Sequence, residues 1–402
     1  MGRIAIVGSG QSGLQLGVAL LRDGDHDITL YSPVTAEQIA SGRLPSSAAV
    51  FGAARELERA AGLSLWDNED PLIDGLRLRI GDGDGGTAVG WDTPLRTAAQ
   101  AVDQRVKYPA WLAVFERLGG RLVIEQVTPE SLDRIAAQHD LTVVASGKGG
   151  LSKIFPVREQ SKPKRTLGLC AVHGLRVSSP DRVCFSILPK IGEVIAIPAV
   201  TADGPAWFVL LESVPGRQMD RWRESATPQA HLALTKELLT KFFPWEAEGF
   251  RGAELVDEHA WLAHPRGLQP TVRAPVTTLP CGRPVLGLAD VVVLNDPIAG
   301  QGANNAAHHA AVTHRAIRGH DGPFDEAWMH RCFAEFWSHA QWSTRFSHAL
   351  LAPPPAHVQK LLGLAAMRPA IAERFANGFV NPPDLQEWFF TESAAERYLA
   401  TI

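Results

Sequence analysis

Hydrophobic and polar positions change period along this chain in a way that marks out its elements. Residues 3–7 are an apolar run ending at a glycine. Leu14, Leu16, Val18, Ala19 and Leu21 follow at helical spacing, and residues 27–31 are extended and apolar again. Strand, glycine turn, helix and strand in that order make the βαβ unit of a dinucleotide fold. Residues 53–61 and 108–118 read as helices, the second stopped by Gly119-Gly120. Strand-like runs at 121–127 and 141–145 enclose a helix from Ser131 to Gln138 and complete a parallel sheet. Asp82-Gly83-Asp84-Gly85-Gly86 separates two short strands as a hairpin turn would.

After residue 166 the pattern changes. Runs at 167–172, 183–188, 193–198 and 206–211 lie close together with little helix between them. That spacing predicts an antiparallel sheet of the kind that forms a substrate-binding domain. A helix over 229–242 interrupts, residues 284–288 return the chain to the first domain, and helix dominates from about Glu326, broken at Pro353-Pro354-Pro355. The expected division is a discontinuous nucleotide domain (1–75, 98–160, 280–325), a substrate domain (76–97, 161–279) and a helical C-terminal region (326–402).

Composition narrows the function classes. The 402 residues are 45% hydrophobic and 20% charged, ordinary for a soluble globular chain. A formal net charge of -4 gives no reason to expect nucleic acid or an anionic membrane as partner. No stretch reaches the ~18 apolar residues of a membrane span, and residues 3–7 read as a core strand and not as a leader, so the cytoplasm is the expected location. Met1-Gly2 resembles a myristoylation start, but Ile6 stands where Ser or Thr is wanted. Cys170, Cys184, Cys281 and Cys332 are widely spaced, which fits a reducing compartment and no zinc site. His308, His309 and His314 share one predicted helix at a spacing poor for a common metal, so no metal is expected. Most of the eleven tryptophans, including Trp328, Trp337, Trp342 and Trp388, read as core or interface.

Two glycine loops at opposite ends of the chain carry the chemistry. In Gly8-Ser9-Gly10-Gln11-Ser12-Gly13, Gly8 permits the tight turn, Gly10 admits a pyrophosphate to the backbone, and Gly13 lets helix pack on strand. Free N–H groups at the helix start then face the phosphates. The late loop runs from Asp290 through Asp296-Pro297-Ile298-Ala299-Gly300-Gln301-Gly302-Ala303-Asn304. Asp290 can accept hydrogen bonds from ribityl hydroxyls, and Gly300 and Gly302 open a helix whose N–H groups can face a flavin pyrimidine edge. Together the loops are what an FAD lying across a whole domain requires. The acidic residue expected to grip the adenosine ribose at the end of the second strand is missing; Tyr31-Ser32-Pro33 stands there, which suggests a loosely held cofactor.

Asp290, Pro297, Gly300, Gly302 and Asn304 resemble the second flavin motif of aromatic-ring hydroxylases, and 143–147 the strand end of that fold. Gly42-Arg43-Leu44, Ala101-Val102-Asp103-Gln104-Arg105, Ser146-Gly147-Lys148, Ile195-Ala196-Ile197-Pro198 and the run 296–304 resemble the FAD-dependent subunit of two-component styrene and indole monooxygenases. The resemblance spans nearly the whole chain. It implies an α/β fold with a Rossmann-like FAD-binding domain of the aromatic-hydroxylase type, an antiparallel-sheet substrate domain and a helical C-terminal region. It places Arg43, Leu44, Arg105, Val127, Ser146 and Gly147 with the two loops at FAD, and Pro297 and Asn304 beside the reacting ring. It further implies no stable nicotinamide site. A separate NAD(P)H:flavin reductase would supply reduced FAD, and oxygen from O2 would reach a small aromatic substrate through a C4a-(hydro)peroxyflavin.

Departures from the family pattern bear on the substrate. Styrene-epoxidising members carry Asn-x-Val-x-His after the Arg-Leu pair; here Ser46, Ala48 and Val50 stand there, and Gln100 replaces a serine further on. These four residues are the expected substrate-pocket wall, and the change points to a larger or indole-type aromatic. The aspartate that usually follows the Asn by five residues is His309. Two other readings share the loops: a single-component NAD(P)H-dependent aromatic hydroxylase, and a non-redox flavin-fold cyclase or binding protein. The sheet, the Trp-rich helices, the Pro353 break and the C-terminal tail each offer a surface for a homodimer.

Overall fold

The computed structural model describes residues 2–47 and 49–402. Its first layer is a six-stranded sheet ordered Val276–Thr278, Pro284–Gly287, Leu141–Val144, Gly2–Val7, His26–Ser32, Arg121–Ile124. All neighbours are parallel except the first pair. Ile4, Ala5 and Ile6 on the central strand are fully buried, as a parallel sheet covered on both faces demands. The helix Gln11–Asp23 covers one face and packs against the later helix Gln301–Arg318. The two glycine loops thereby become neighbours.

Close packing at the first loop accounts for its glycines. Gly8 has φ +124°, and a Cβ there would run into the carbonyl of Ala145 on the adjacent strand end. A Cβ at Gly13 would be driven into the carbonyl oxygen of Gly8.

The second layer is a sheet of nine strands whose main path runs Glu254–Leu255, Thr166–His173, Gly204–Ser213, Gly192–Thr201, Arg182–Leu188, Ile73–Gly81, Thr87–Ala101, Ala49–Val50; Trp261–His264 adds to Thr166–His173. It is antiparallel except where Ile73–Gly81 meets Arg182–Leu188 in parallel. That junction arises because an earlier excursion of the chain supplies the strands beside a later meander. The excursion spans Ile73–Ala101, somewhat wider than 76–97, and its second strand is long, at 15 residues. Asp82 Oδ1 closes the hairpin between them by accepting from the N–H groups of Asp84 and Gly86 at 2.8 and 3.0 Å.

A small ribbon of Val157–Gln160, Thr271–Arg273 and Val293–Leu294 joins chain segments passing between the layers. Helices Glu326–Leu351, Ala356–Ala365, Pro369–Val380 and Glu392–Leu399 complete the chain. Buried aromatics hold them: Phe346 packs edge-on to Phe375 and Phe379 with centroids 6.1 and 4.9 Å away. Trp111, Trp222 and Trp388 are core residues. The indole N–H of Trp111 donates to the Leu63 carbonyl at 3.0 Å, and that of Trp222 to Ser213 Oγ at 3.1 Å. Among the described residues no helix is long and apolar enough to cross a membrane.

Gly13→Ala is expected to lose about 1–3 kcal/mol by overpacking, read as a lower urea midpoint with unchanged m-value.

Candidate functional site

One cavity of about 950 Å³ runs from the first glycine loop to the face of the nine-stranded sheet. That is the upper end of the range for small-molecule sites, about 300–1,000 Å³. Gly8, Ser9, Gly10, Gln11 and Ser12 line one end, with Gly13 packed behind them. Gly10 N-caps the first helix, and a Cβ on it would meet nothing, so the backbone there is open to a ligand. The Gln11 side chain is directed elsewhere: its Nε2 donates to Glu58 at 2.7 Å, and Glu58 pairs with Lys107 at 2.6 Å. Val127, Arg43 and Arg105 line the cavity. Arg43 lies 4.9 Å over the Trp261 ring. The Arg105 guanidinium is fixed by Asp103 at 2.7 Å and Asp257 at 2.8 Å. Leu44 is a buried core residue whose N–H donates to the His259 carbonyl, and it does not line the cavity.

Ser146, Gly147 and Asp290 form the middle, and the buried Ser146 Oγ has no partner among the described residues. Burial raises the Asp290 carboxyl above the usual aspartate range, while neighbouring Lys148 pulls it back. The turn before Asp290 is held by His309. Ala289 adopts φ +51°, and its N–H donates to His309 Nδ1 at 3.0 Å. The His309 ring stacks on Phe336 at 3.7 Å, and burial keeps it neutral, well below the ordinary histidine range.

Pro297, Gly300, Gly302 and Ala303 line the far half. Gln301 and Asn304 sit behind them. Gln301 Nε2 donates to the Ala299 and Phe379 carbonyls at 3.0 and 2.9 Å. Asn304 Oδ1 accepts from Phe51 N–H at 2.8 Å, and its Nδ2 donates to Ala49 O at 3.0 Å and Gly300 O at 2.7 Å. Asn304 is therefore a positioning residue that ties the 49–51 segment to the late loop.

The four pocket residues divide. Ser46 lines the cavity. Ala48 lies outside the described residues. Val50 and Gln100 are cross-strand partners on the opposite side, beside a separate small depression. Strand alternation puts Ala49 and Phe51 toward the large cavity and Val50 away from it. The Gln100 amide is occupied by the Trp66 and Glu69 carbonyls, each at 2.8 Å.

These residues fit an extended dinucleotide: an open glycine backbone, an unpartnered hydroxyl and two helix starts face a single continuous space. In a comparison with curated proteins, the chain is 30% identical over 395 residues to styrene monooxygenase StyA of Pseudomonas fluorescens, covering 96% of this chain and 94% of the relative. The chain belongs to the styrene monooxygenase StyA family. StyA of a second Pseudomonas matches equally, at 30% over the same coverage. Residues 147–249 match a family model described as "Styrene monooxygenase A putative substrate binding domain". Among solved structures, flavin-dependent brominase Bmp2 superposes with TM-score 0.68 at 12% identity, covering 100% of both chains. A flavoprotein/dehydrogenase from Cytophaga hutchinsonii gives 0.70 at 10%, covering 96% of each. These distant likenesses agree with the aromatic-hydroxylase type of fold. This StyA-family member is an FAD-dependent monooxygenase.

Among the cavity residues, Glu125 and Asn295 lie outside the quoted motifs, and Lys148 and Asp296 lie inside them without an assigned role. Lys148, Asn295 and Asp296 line the cavity, and so does Glu125, whose N–H bonds to Ser32 O at 2.8 Å just where the second strand ends. Glu125 thus brings a carboxylate, from the neighbouring strand, to the place where the expected ribose-gripping acid is missing. Its signal was present as Glu125 closing the apolar run at 121–124. It went unread because strand neighbours are not apparent from sequence order.

Glu125→Gln is expected to weaken FAD binding several-fold, about 1 kcal/mol, in a fluorescence titration. A second expectation concerns acid. Burial lowers His231 and His308 to about 4, and holds His309 well below the ordinary histidine range. Each must charge on unfolding below about pH 6.5. Stability is therefore full above that pH and lost as pH falls. The Tm–pH slope should be shallower in His309→Gln, whose amide oxygen can still accept the Ala289 N–H.

Proposed function

We propose that this protein takes reduced FAD from a separate NAD(P)H:flavin reductase and uses O2 to oxygenate the C=C bond of an aromatic substrate, a vinyl-arene or the indole 2,3-bond. One oxygen atom adds to the double bond. The other leaves as water with the two hydrogens of the reduced flavin, which returns oxidised. Bound FAD supplies the oxygen activation; the chain supplies position and dryness.

The observation that carries this reading is the apolar end of the cavity. Phe185, Ile195, Ile197 and Leu210 line it from the nine-stranded sheet, and Phe379 from the C-terminal helices; Pro297 lines the same cavity. A wall of this kind excludes water, which would divert the activated oxygen. N–H groups at the start of Gln301–Arg318 face the same space, where they can stabilise developing negative charge. No side-chain acid–base pair is required by an oxygen transfer of this type. Glycine at 10 and the start of the first helix suit the pyrophosphate, and Arg43 the cofactor's charged middle.

Styrene is what the curated relatives act on by name. An indole-type ring is favoured by two features. Ser46, Ser47 and Ala49 make a small-walled side. Asn295, only 8% exposed, lines the cavity with neither amide atom partnered among the described residues, so its Oδ1 can accept an indole N–H.

With chemically reduced FAD, O2 and either styrene or indole, purified protein is expected to give styrene oxide or, from indole, indigo. NADPH alone, without a reductase, should leave the flavin oxidised in stopped-flow mixing. Rapid bleaching by NADPH would overturn the two-component assignment, and no oxygenated product from either substrate would overturn the reaction.

A further inference from the structure

Three acidic side chains meet where the apolar wall of the cavity ends. Glu193 and Glu212 are cross-strand partners on Gly192–Thr201 and Gly204–Ser213. Two residues along, on the same face, the next such pair is Ile195 and Leu210, both lining the cavity. Facing the glutamates is Asp296, which caps the Pro297–Ala299 turn by accepting from Ile298 N–H at 3.2 Å. None of the three is more than 1% exposed. The charged groups facing Glu212 are Glu193, Asp296 and Arg165. Arg165 is engaged by Glu193, with Nη2 3.3 Å from Oε2 besides a shorter Nε contact.

One cation therefore stands against three acids. Both Glu212 oxygens and Asp296 Oδ2 are buried and have no donor among the described residues. Two carboxylates cannot bond to each other, because both only accept. A proton on one converts the contact into a charge-assisted O–H···O⁻ bond, among the strongest a protein makes. Glu193 already receives the Arg165 fork, whereas Asp296 Oδ2 has no donor among the described residues, so the proton is needed between Glu212 and Asp296.

We propose that Glu212 stays protonated in the folded enzyme and donates to Asp296 Oδ2, latching the flavin-side turn Pro297–Ala299 onto the substrate-side sheet. Glu212 is thus a positioning residue that acts through Asp296. The electrostatics point the same way. Burial, reinforced by the negative charges of Asp296 and Glu193, lifts Glu212 well above the usual glutamate range. Burial also raises Glu193 to about 7 and Asp296 to about 6. For a raised acid the bound proton, and with it the latch, is complete at low pH and is lost as pH rises through the raised value. Above that point the latch becomes a repulsion between carboxylates beside Pro297.

The inference rests on FAD lying against this turn, as proposed above. The test is FAD affinity by fluorescence quenching from about pH 5.5 to about pH 9.5, a span wide enough to cross a strongly raised carboxyl, for wild type, Glu212→Gln and Glu212→Leu. Wild-type affinity is expected to fall about tenfold across the ionisation, the loss of one such bond. Glu212→Gln should match the wild type near neutral pH and keep that affinity to the alkaline end, since an amide N–H can donate to an ionised Asp296 at every pH. Glu212→Leu should bind about tenfold more weakly throughout. A pH profile in Glu212→Gln like that of the wild type, or wild-type affinity in Glu212→Leu, would overturn the latch alone. Failure of wild type to bind FAD at any pH would remove the functional reading as well. A measurement independent of FAD and of the leucine variant's folding is the infrared band of a protonated buried carboxyl. It should be present in wild type at neutral pH and absent in Glu212→Gln; its absence from wild type overturns the proposal.

Discussion

The far half of the cavity depends on one carboxamide. Asn304 bonds at once to Phe51 N–H, Ala49 O and Gly300 O, joining a segment from the start of the chain to a loop from its last third. The bonds to Phe51 and Ala49 are buried and the one to Gly300 is part-buried, so losing the side chain would leave the two buried backbone groups unsatisfied, at about 1–3 kcal/mol each. Gly300 adopts φ +61°, a conformation that the following helix start and the Asn304 bond hold in place. Pro297 and Ala303 face the cavity because this clamp fixes the turn between them. The family motif ending in Asn304 is thus a mechanical part first and a chemical one second.

Around that clamp the two sheets divide the work. The parallel sheet ends in open backbone at Gly10 and Gly147, suited to phosphate and ribityl groups. The nine-stranded sheet contributes branched and aromatic side chains, Ile195, Ile197, Leu210 and Phe185, with no charge until Glu193 and Glu212. Polarity thus falls along the cavity from one end to the other.

Much of this was legible in the sequence, for a definable reason. The motifs at 8–13 and 296–304 are local, so their glycines and caps could be read one residue at a time. The strands at 167–172 and 206–211 announced themselves by composition and spacing. What escaped depends on registers between distant strands. Val50 and Gln100 were expected at the substrate, yet they pair with each other on the other face, and Ala49 and Phe51 take the cavity side. Leu44 and Gln301 sit in the matching stretches but serve packing and bracing. Glu125 and Asp296 had visible side chains and no visible neighbours. His309, where the aromatic-hydroxylase pattern usually has aspartate, is a neutral ring that accepts the Ala289 N–H.

The narrow ribbon of Val157–Gln160, Thr271–Arg273 and Val293–Leu294 has a consequence for traffic. It laces together strands from three separate passages of the chain, and its last strand leads directly into Asn295 and Asp296. Prising the two layers apart like a clamshell would tear main-chain bonds in this seam. Entry by parting the chain at this seam would cost those bonds, whereas a route that leaves the ribbon intact would not.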